Sequence, residues 1–374
     1  MKFKVTKKAL KEALDTVSHA TAGITTTPIL EYILIKVNFK SITFVSNNLE
    51  MAIEYILSEN IKIESEWSFS LPSKLFVWYI NLVDDDEVEL ELQKDESILI
   101  KTVSGKTKIK GKSADEFPLI PKLKEEIRIE IPGIILKNSI EKTLFSSAEG
   151  NIRPTLAGIY LKINETDTIF ATTDSFRLTE MKTPFSWKEK WIFEQIIPSK
   201  TAFEIKNILK DDAQITLISG ENQVGFFFEN IKIYSRLLNG KFPDYTNFFP
   251  HTYKTKAEIN RIDLIQALKK INLISRENNY SIKMSFSSDD GIFLETSETQ
   301  IGEWEIRLNA DIEWENNIIG INSTYLLEVL WVIWSNHVAI QFETPLSPVL
   351  ITPVNENKKE TWGQFKHIIM PLKI

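Results

Sequence analysis

The chain opens with an apolar stripe that predicts a helix. Leu10, Ala13, Leu14 and Val17 follow the spacing i, i+3, i+4, i+7, which places them on one face of an α-helix. Thr6 precedes the stripe, and a threonine there can accept a hydrogen bond from a free backbone N–H group of the first turn. We therefore predict an amphipathic helix that begins after Thr6.

The same stripe returns twice at nearly constant intervals. About 126 and then about 128 positions later it is formed by Leu136, Ser139, Ile140 and Thr143, and by Leu264, Ala267, Leu268 and Ile271. Residues 28–30 recur as 154–156, and the pair at 117–118 recurs at 242–243. Because several matches keep one offset and one order, the sequence indicates an internal triplication.

Each repeat contains a second apolar stripe that follows a serine. Ser73, Ser199 and Ser323 are the predicted N-caps of these helices. The predicted buried faces are Phe76, Tyr79, Leu82 and Val83, then Ala202, Ile205, Ile208 and Leu209, then Leu326, Val329, Val332 and Ile333.

Short alternating or β-branched runs lie between the helices and read as strands. Asp289-Asp290-Gly291 is a hairpin signal between two of them. Strands in blocks favour an α+β fold with antiparallel sheets. The runs are 33–37, 42–45, 87–92, 97–103, 159–163, 168–172, 214–218, 282–286, 291–295 and 338–342.

Polar stretches near 122–126 and 252–256 suggest where the repeats join. We predict three tandem domains of two helices packed on antiparallel sheets, at 1–124, 125–253 and 254–374. Three equal domains in tandem tend to form an arc, which a second copy can close head to tail.

The amino-acid composition excludes several kinds of functional site. The 374 residues carry a net charge of −7 and contain no cysteine, which excludes disulfides, zinc–thiolate sites and a cysteine nucleophile. The four histidines show no metal-ligand spacing, and the first residues contain no apolar run of a signal peptide. We expect a cytoplasmic protein without a metal or cofactor.

An enzyme is one alternative. Asp84-Asp85-Asp86 and Asp211-Asp212 could suggest metal-binding carboxylates, but both runs follow predicted helices and fit solvated turns. None of the three helix-capping serines lies in a G-x-S-x-G context, and the chain has no phosphate-binding or dinucleotide motif. We therefore predict no catalytic residues.

Three motifs carry a family resemblance over essentially the whole length. Residues 171–178 read Ala-Thr-Thr-Asp-Ser-Phe-Arg-Leu, residues 240–245 read Gly-Lys-Phe-Pro-Asp-Tyr, and residues 368–374 read Ile-Ile-Met-Pro-Leu-Lys-Ile. They are similar to the T-D-G-H-R-L, G-R-F-P-D-Y and V-M-P-M-R-L runs of bacterial DNA polymerase sliding clamps, the β subunits of the replicative polymerase.

The resemblance implies a non-catalytic processivity factor for DNA replication and repair. Two subunits would close a ring around duplex DNA, with helices lining the hole and sheets on the rim. The ring would tether the polymerase and so raise its effective concentration at the primer end. A clamp loader would open it with ATP.

The resemblance also implies a cleft for short linear motifs of the polymerase, the loader and repair proteins. Ser175-Phe176 replaces the usual Gly-His pair, so the rim is expected to be more apolar. The matching cleft positions are Arg153, Leu156, Thr173, Ser175, Phe176, Arg177, Leu178, Pro243, Phe248, Asn322, Tyr325, Leu346, Pro348, Met370, Pro371 and Leu372.

Two further surfaces are expected. DNA-facing lysines would be Lys7, Lys8, Lys11, Lys137, Lys142, Lys200, Lys269 and Lys270. Ile24, Gly150, Pro154 and Thr155 stand where the family often has basic, amide or aromatic DNA contacts. Dimer contacts would be Lys74, Ile109, Leu273 and Ile274.

A second alternative stays open. A scaffold built from the same repeat could bind peptides without closing a ring, and it would be monomeric at working concentration.

Overall fold

The computed structural model describes residues 1–23, 25–150, 153–185, 192–296, 302, 304–354 and 363–373. Ile24 and the C-terminal Ile374 lie outside these residues. Among the residues described, no helix is both long and apolar enough to cross a membrane.

The helices are α1 (Lys7–Ser18), α2 (Ser73–Leu82), α3 (Gly133–Thr143), α4 (Ser199–Ile208), α5 (Arg261–Ser275) and α6 (Ser323–Val332). The strands of the first half are β1 (Lys2–Thr6), β2 (Tyr32–Asn38), β3 (Ser41–Asn47), β4 (Met51–Leu57), β5 (Ile61–Ile63), β6 (Trp67–Pro72), β7 (Glu87–Leu92), β8 (Ser97–Lys101), β9 (Lys106–Lys110), β10 (Lys112–Ser113), β11 (Ile127–Pro132), β12 (Gly158–Ile163), β13 (Thr168–Thr173) and β14 (Arg177–Thr183).

The strands of the second half are β15 (Phe193–Pro198), β16 (Gln214–Ser219), β17 (Gln223–Phe228), β18 (Ile231–Arg236), β19 (Thr255–Asn260), β20 (Ser281–Ser287), β21 (Gly291–Glu295), β22 (Glu305–Leu308), β23 (Asp311–Trp314), β24 (Asn317–Asn322), β25 (His337–Phe342), β26 (Val349–Val354) and β27 (Gln364–Ile369). Each of the ten predicted strands is present, and the helices and antiparallel sheets confirm the predicted α+β class.

The chain divides into two compact units, Met1–Ile134 with Asn207–Leu237, and Ile135–Lys206 with Leu238–Ile374. The first unit holds a five-stranded sheet, β5-β1-β7-β8-β9, and a nine-stranded sheet, β10-β6-β2-β3-β4-β18-β17-β16-β11. The second holds a nine-stranded sheet, β15-β12-β13-β14-β27-β26-β25-β19-β23, and a four-stranded sheet, β22-β21-β20-β24. The domain boundaries at 124/125 and 253/254 stay a prediction.

In the first unit, α1 follows the sequence pattern. Leu10, Ala13, Leu14 and Val17 are fully buried, and Thr6 Oγ1 accepts a hydrogen bond from Ala9 N at 3.4 Å. The helix packs on α2 and on β3 and β4. Its predicted cap and face are both confirmed.

The second helices depart from the prediction at their starts. Ser73 is the first residue of α2, and the N-cap is Pro72, which has no side-chain cap bond. In α6 the cap is Asn322, whose side chain accepts from Thr324 N and Tyr325 N, while Ser323 Oγ donates to the Tyr280 carbonyl. The predicted caps at Ser73 and Ser323 are therefore wrong by one residue.

The end of α2 departs as well. Leu82 was predicted to be buried but is 80% exposed, and Ile80 is buried in its place. Leu75, Trp78 and Leu82 form an exposed apolar stripe along this helix, which we call the α2 stripe. Its spacing, i, i+3, i+7, is that of a face that packs against something.

Candidate functional site

A cleft of about 480 Å³ opens in the second unit. It lies where the β13–β14 turn meets a 3₁₀ turn at Pro154–Leu156, the loop that follows Phe242, and the end of β27. Its lining residues are Arg153, Thr155, Leu156, Thr173, Ser175, Arg177, Leu178, Pro243, Phe248, Ile368 and Met370.

Long-range strand pairing builds the cleft wall. β27 pairs antiparallel with β14, with Arg177 opposite Ile369 and Leu178 opposite Ile368. One residue beyond the strand, Met370 N donates to the Phe176 carbonyl at 2.8 Å. The C-terminal segment is thereby fixed beside the β13–β14 turn, although about 190 positions separate them along the chain.

The β13–β14 turn is rigid because its polar groups bond to one another. Asp174 Oδ1 accepts from Phe176 N at 2.9 Å and from Arg177 N at 3.0 Å. Thr173 Oγ1 accepts from Ser175 N at 3.1 Å and donates to the Arg177 carbonyl at 2.7 Å. These bonds hold Ser175 at φ 82°, a left-handed conformation that costs a serine about 1 kcal/mol.

Arg177 contributes structure to the wall and has little charge to offer a ligand. It is only 8% exposed. Its Nε donates to Asp174 Oδ2 at 3.0 Å, its Nη2 donates to the Phe145 carbonyl at 2.9 Å, and its Nη1 is paired with Glu328. The Tyr325 ring lies 4.4 Å from the guanidinium carbon. A guanidinium bound on all sides stiffens the turn and stays in place.

The cleft has a buried apolar floor and exposed apolar lips. Leu156, Leu178 and Ile368 are buried in the core beneath it, whereas Phe248 and Met370 are about half exposed. Arg153 supplies the exposed polar edge and donates to Ser175 Oγ. A preformed apolar groove with few polar groups suits the apolar side chains of an extended peptide.

The structure brings nine of the sixteen predicted cleft residues together. The seven that do not line the cleft are Phe176, Asn322, Tyr325, Leu346, Pro348, Pro371 and Leu372. Asn322 caps α6, and Tyr325 supports Arg177 from behind. Leu372 N donates to the Gly320 carbonyl at 2.9 Å, which fixes the C-terminal segment by its backbone.

Two lining residues, Thr155 and Ile368, were missed. Ile368 is buried on the face of β27 opposite Phe365, His367 and Ile369, so an alternating pattern would not have marked it. Thr155 was treated as a departure from the family's DNA contacts.

A buried polar network lies behind the cleft. Ser146 Oγ is 2.6 Å from both Thr172 Oγ1 and Thr179 Oγ1, and Thr179 Oγ1 is 2.8 Å from His367 Nδ1. His367 is fully buried, and its Nε2 has no hydrogen-bond partner among the described residues. Burial, with the nearby positive charge of Arg177, holds the pKa of His367 well below 6.5.

This histidine predicts a pH-dependent stability. Since the unfolded chain takes up a proton near pH 6.5 and the folded chain does not, His367 stabilises the fold fully above that pH and progressively less below it. We expect the free energy of unfolding to fall by up to about 1.4 kcal/mol per pH unit below pH 6.5 from this group. Denaturant titrations at pH 5 and 7 should show a smaller pH difference for His367→Gln than for the wild type.

The matched control is His251→Gln, which changes an exposed histidine. An unchanged pH difference in His367→Gln would contradict the assignment.

The predicted DNA-facing lysines have different settings. Lys8, Lys11, Lys200, Lys269 and Lys270 are exposed, while Lys7 and Lys137 are partly buried. Lys142 needs correction. Its Nζ donates to the Val332 carbonyl at 2.6 Å and lies 5.3 Å from the Trp334 ring, and burial lowers its pKa. Its ammonium is committed within the fold and is not a DNA-facing charge.

The predicted dimer residues also differ in how exposed they are. Leu273 is 70% exposed at the end of α5, Ile274 beside it is partly exposed, and Lys74 is exposed at the start of α2. Ile109 is only 3% exposed because its side chain faces the core, although its strand β9 is an edge of its sheet. The Ile109 side chain is therefore corrected to a core residue. The α2 stripe was missed.

The two aspartate runs lie in the connections that follow α2 and α4. Asp85 Oδ2 accepts from Ser104 N at 3.0 Å and from Ser104 Oγ at 2.6 Å, which lowers the pKa of this exposed carboxyl. Within the described part of the chain, no three His, Asp or Glu side chains are grouped as a metal site would need.

Comparisons with known proteins point to one family over nearly the whole length of the chain. Family models for the DNA polymerase III beta subunit match in tandem, the N-terminal domain over residues 1–121, the central domain over 130–244 and the C-terminal domain over 246–373. The beta sliding clamp of Bacillus subtilis is 29% identical over 365 residues, which are 95% of this chain and 97% of the relative.

Solved structures agree as well. A crystal structure of the Bacillus subtilis DNA polymerase sliding clamp has a TM-score of 0.93 at 28% identity, covering 100% of this chain and 99% of that chain. The beta subunit from the DNA polymerase of Streptococcus pyogenes has a TM-score of 0.93 at 24% identity, covering 100% of both chains, and supports the fold. With three family models in tandem order over nearly its whole length, this chain belongs to the DNA polymerase III beta subunit family.

Proposed function

We propose that two copies of this sliding clamp close head to tail around duplex DNA and that each presents its cleft to a peptide segment of a DNA polymerase. The sliding-clamp function follows from the family, whose members are non-catalytic processivity factors. The clamp loader and repair proteins would use the same cleft in turn, in the cytoplasm where the chromosome is replicated.

The cleft is the observation that carries the peptide-binding part. Its floor is buried and apolar, its lips at Phe248 and Met370 are exposed and apolar, and its turn is held by internal hydrogen bonds. Because Arg177 is already paired, affinity would come mainly from apolar side chains of the peptide. Arg153 is the exposed cation of the rim and would fix the direction of the bound segment.

Two exposed apolar surfaces support a head-to-tail dimer. Leu273 projects from α5, and the α2 stripe projects from a helix of the other unit. Two different surfaces of one chain can form a heterologous contact, which gives a ring if the rotation closes. The β9 edge of one sheet is open to pairing in the same contact.

Exposed lysines would hold the DNA without reading its sequence. Lys8 and Lys11 on α1, and Lys269 and Lys270 on α5, give local positive charge on a protein of net charge −7. Contacts between lysines and phosphates carry no sequence information, as a clamp that slides requires.

Imaging tests the ring directly. Negative-stain electron microscopy of the purified protein should show closed rings with a central hole wide enough for duplex DNA. A weak dimer would give three-lobed crescents at low concentration and rings at high concentration. Crescents at every concentration would contradict the ring and favour a peptide-binding scaffold that does not close.

A further inference from the structure

An exposed tryptophan on α6 is paired with a lysine of α5. Trp331 is 56% exposed, and Lys269 Nζ lies 4.6 Å from the centroid of its ring. A cation over an aromatic face is a favourable contact of fixed geometry. Lys269 lies over one face of the indole, and more than half of the Trp331 residue stays exposed beside it.

The charge around this pair is positive. Lys270 is exposed next to Lys269 on α5. The acidic residue one turn before Trp331 on α6 is Glu328, and its carboxylate is paired with Arg177. An anion that approaches Trp331 therefore meets the ammonium group of Lys269, with Lys270 next to it on α5, and a carboxylate that is already paired with Arg177.

A similar pair occurs on α4. Phe203 is about half exposed, and Lys206 Nζ lies 4.9 Å from its ring centroid. The two rings are exposed, and each lies beside a lysine ammonium group, Trp331 beside Lys269 of α5 and Phe203 beside Lys206 of its own helix. Exposed aromatic rings beside cations are the elements of a stacking platform for nucleotides.

We propose that the Lys269–Trp331 pair binds unpaired nucleotides of single-stranded DNA, with the indole stacked on a base and the lysines on the flanking phosphates. The inference rests on the proposed function only in placing DNA against these helices. Bases of a duplex are stacked on each other and leave no face for the indole, whereas every unpaired base offers one. The platform would let the clamp slide on duplex and pause where a single strand begins.

Binding of the full-length protein to a fluorescein-labelled single-stranded 20-mer, and to the duplex of the same sequence, tests this by fluorescence anisotropy. Trp331→Ala should weaken single-strand binding about 5- to 100-fold and leave duplex binding nearly unchanged. Trp331→Phe should recover part of the loss because it keeps a ring. Lys269→Gln should reduce the slope of log K against log salt by about 0.7 for the single strand.

The matched control is Trp314→Ala, which removes a tryptophan that is 60% exposed but lies on β23. Equal single-strand affinity in Trp331→Ala and the wild type would overturn the proposal, as would equal losses on single strand and duplex. A Trp331→Ala variant that binds DNA normally but loses dimer or peptide binding would show that this face contacts protein, which also overturns it.

A failure of the proposed clamp function can be told apart from a failure of this inference. Rings and peptide binding are measured on the wild type and on Trp331→Ala in parallel. Their absence from the wild type would reject the clamp proposal whatever the single-strand result, and their presence in both proteins makes the single-strand comparison a test of the platform alone.

Discussion

A chain that ends at Ile369 is expected to bind a polymerase peptide at least about 30-fold more weakly than the full chain, a loss of roughly 2 kcal/mol. Met370 is an exposed apolar lip of the cleft, and its backbone N–H holds the Phe176 carbonyl. Removing it deletes contact area and loosens the β13–β14 turn at the same time.

The truncation should leave the fold and the dimer intact. β27 ends at Ile369, so its pairing with β14 and β26 is kept. Among its described residues, 370–373, the deleted segment contributes the backbone hydrogen bonds of Met370 N and Leu372 N, each worth about 1 kcal/mol.

Titration of a labelled peptide that carries a short linear motif of the polymerase measures the affinity, and sedimentation velocity measures the dimer. The matched control ends at Leu372 and keeps both hydrogen bonds. Met370→Ala and Phe248→Ala test the two lips separately. Undiminished affinity in the chain that ends at Ile369 would remove Met370 from the site.

Local pattern predicted the six helices that the structure describes and ten of its strands, but it did not predict which distant elements pair. The stripe of α1 and its Thr6 cap depend on residues within one or two turns of each other, so both were predictable. β27 pairs with β14 across nearly 190 positions, and no periodicity within β27 contains that information. Ile368 was missed as a cleft residue for this reason, while Met370 was found only through the family motif.

Local sequence also could not predict whether a charged side chain is already paired within the fold. Arg177 stood in a family motif and was assigned to the rim, but Glu328, 151 positions away, pairs with it. The same holds for Lys142, whose acceptor is the carbonyl of Val332, 190 positions away. For both residues the motif or pattern located the side chain in the sequence, but the partner of its charge lies far away along the chain.

The α2 stripe shows how an apolar residue can be assigned to the wrong face of a helix. Leu82 was placed in the core because it continues an apolar run, yet that run covers most of the helix circumference. A helix apolar on two faces has a second partner. We propose that this partner is the other subunit of the head-to-tail dimer.

Charge substitutions on either proposed dimer surface should give monomers. Leu273→Glu and Trp78→Glu each change a side chain that is at least 66% exposed in the single chain, so the subunit fold should be kept. Burying a glutamate in an apolar interface should raise the dimer dissociation constant at least about 100-fold, roughly 3 kcal/mol. Leu346→Glu, at 71% exposure in the turn between β25 and β26, is the matched control and should remain dimeric. The double change of Leu273 and Ile274 to glutamate should also be monomeric.

Mixing the two single variants then tests the head-to-tail arrangement itself. In a mixed dimer, the intact α2 stripe of the Leu273→Glu chain can meet the intact Leu273 of the Trp78→Glu chain, so one of the two interfaces is wild type and the other carries both changes. Native mass spectrometry should therefore detect mixed dimers from two populations that are monomeric alone. They should be weaker than wild-type rings because the second contact no longer adds its effective concentration.

An isologous interface, in which the same patch of both subunits meets, predicts the opposite, because the single interface of a mixed dimer would then contain at least one glutamate. A mixture that stays monomeric would thus reject the head-to-tail contact through these residues. Dimers that persist in either variant alone would place the interface elsewhere on the chain.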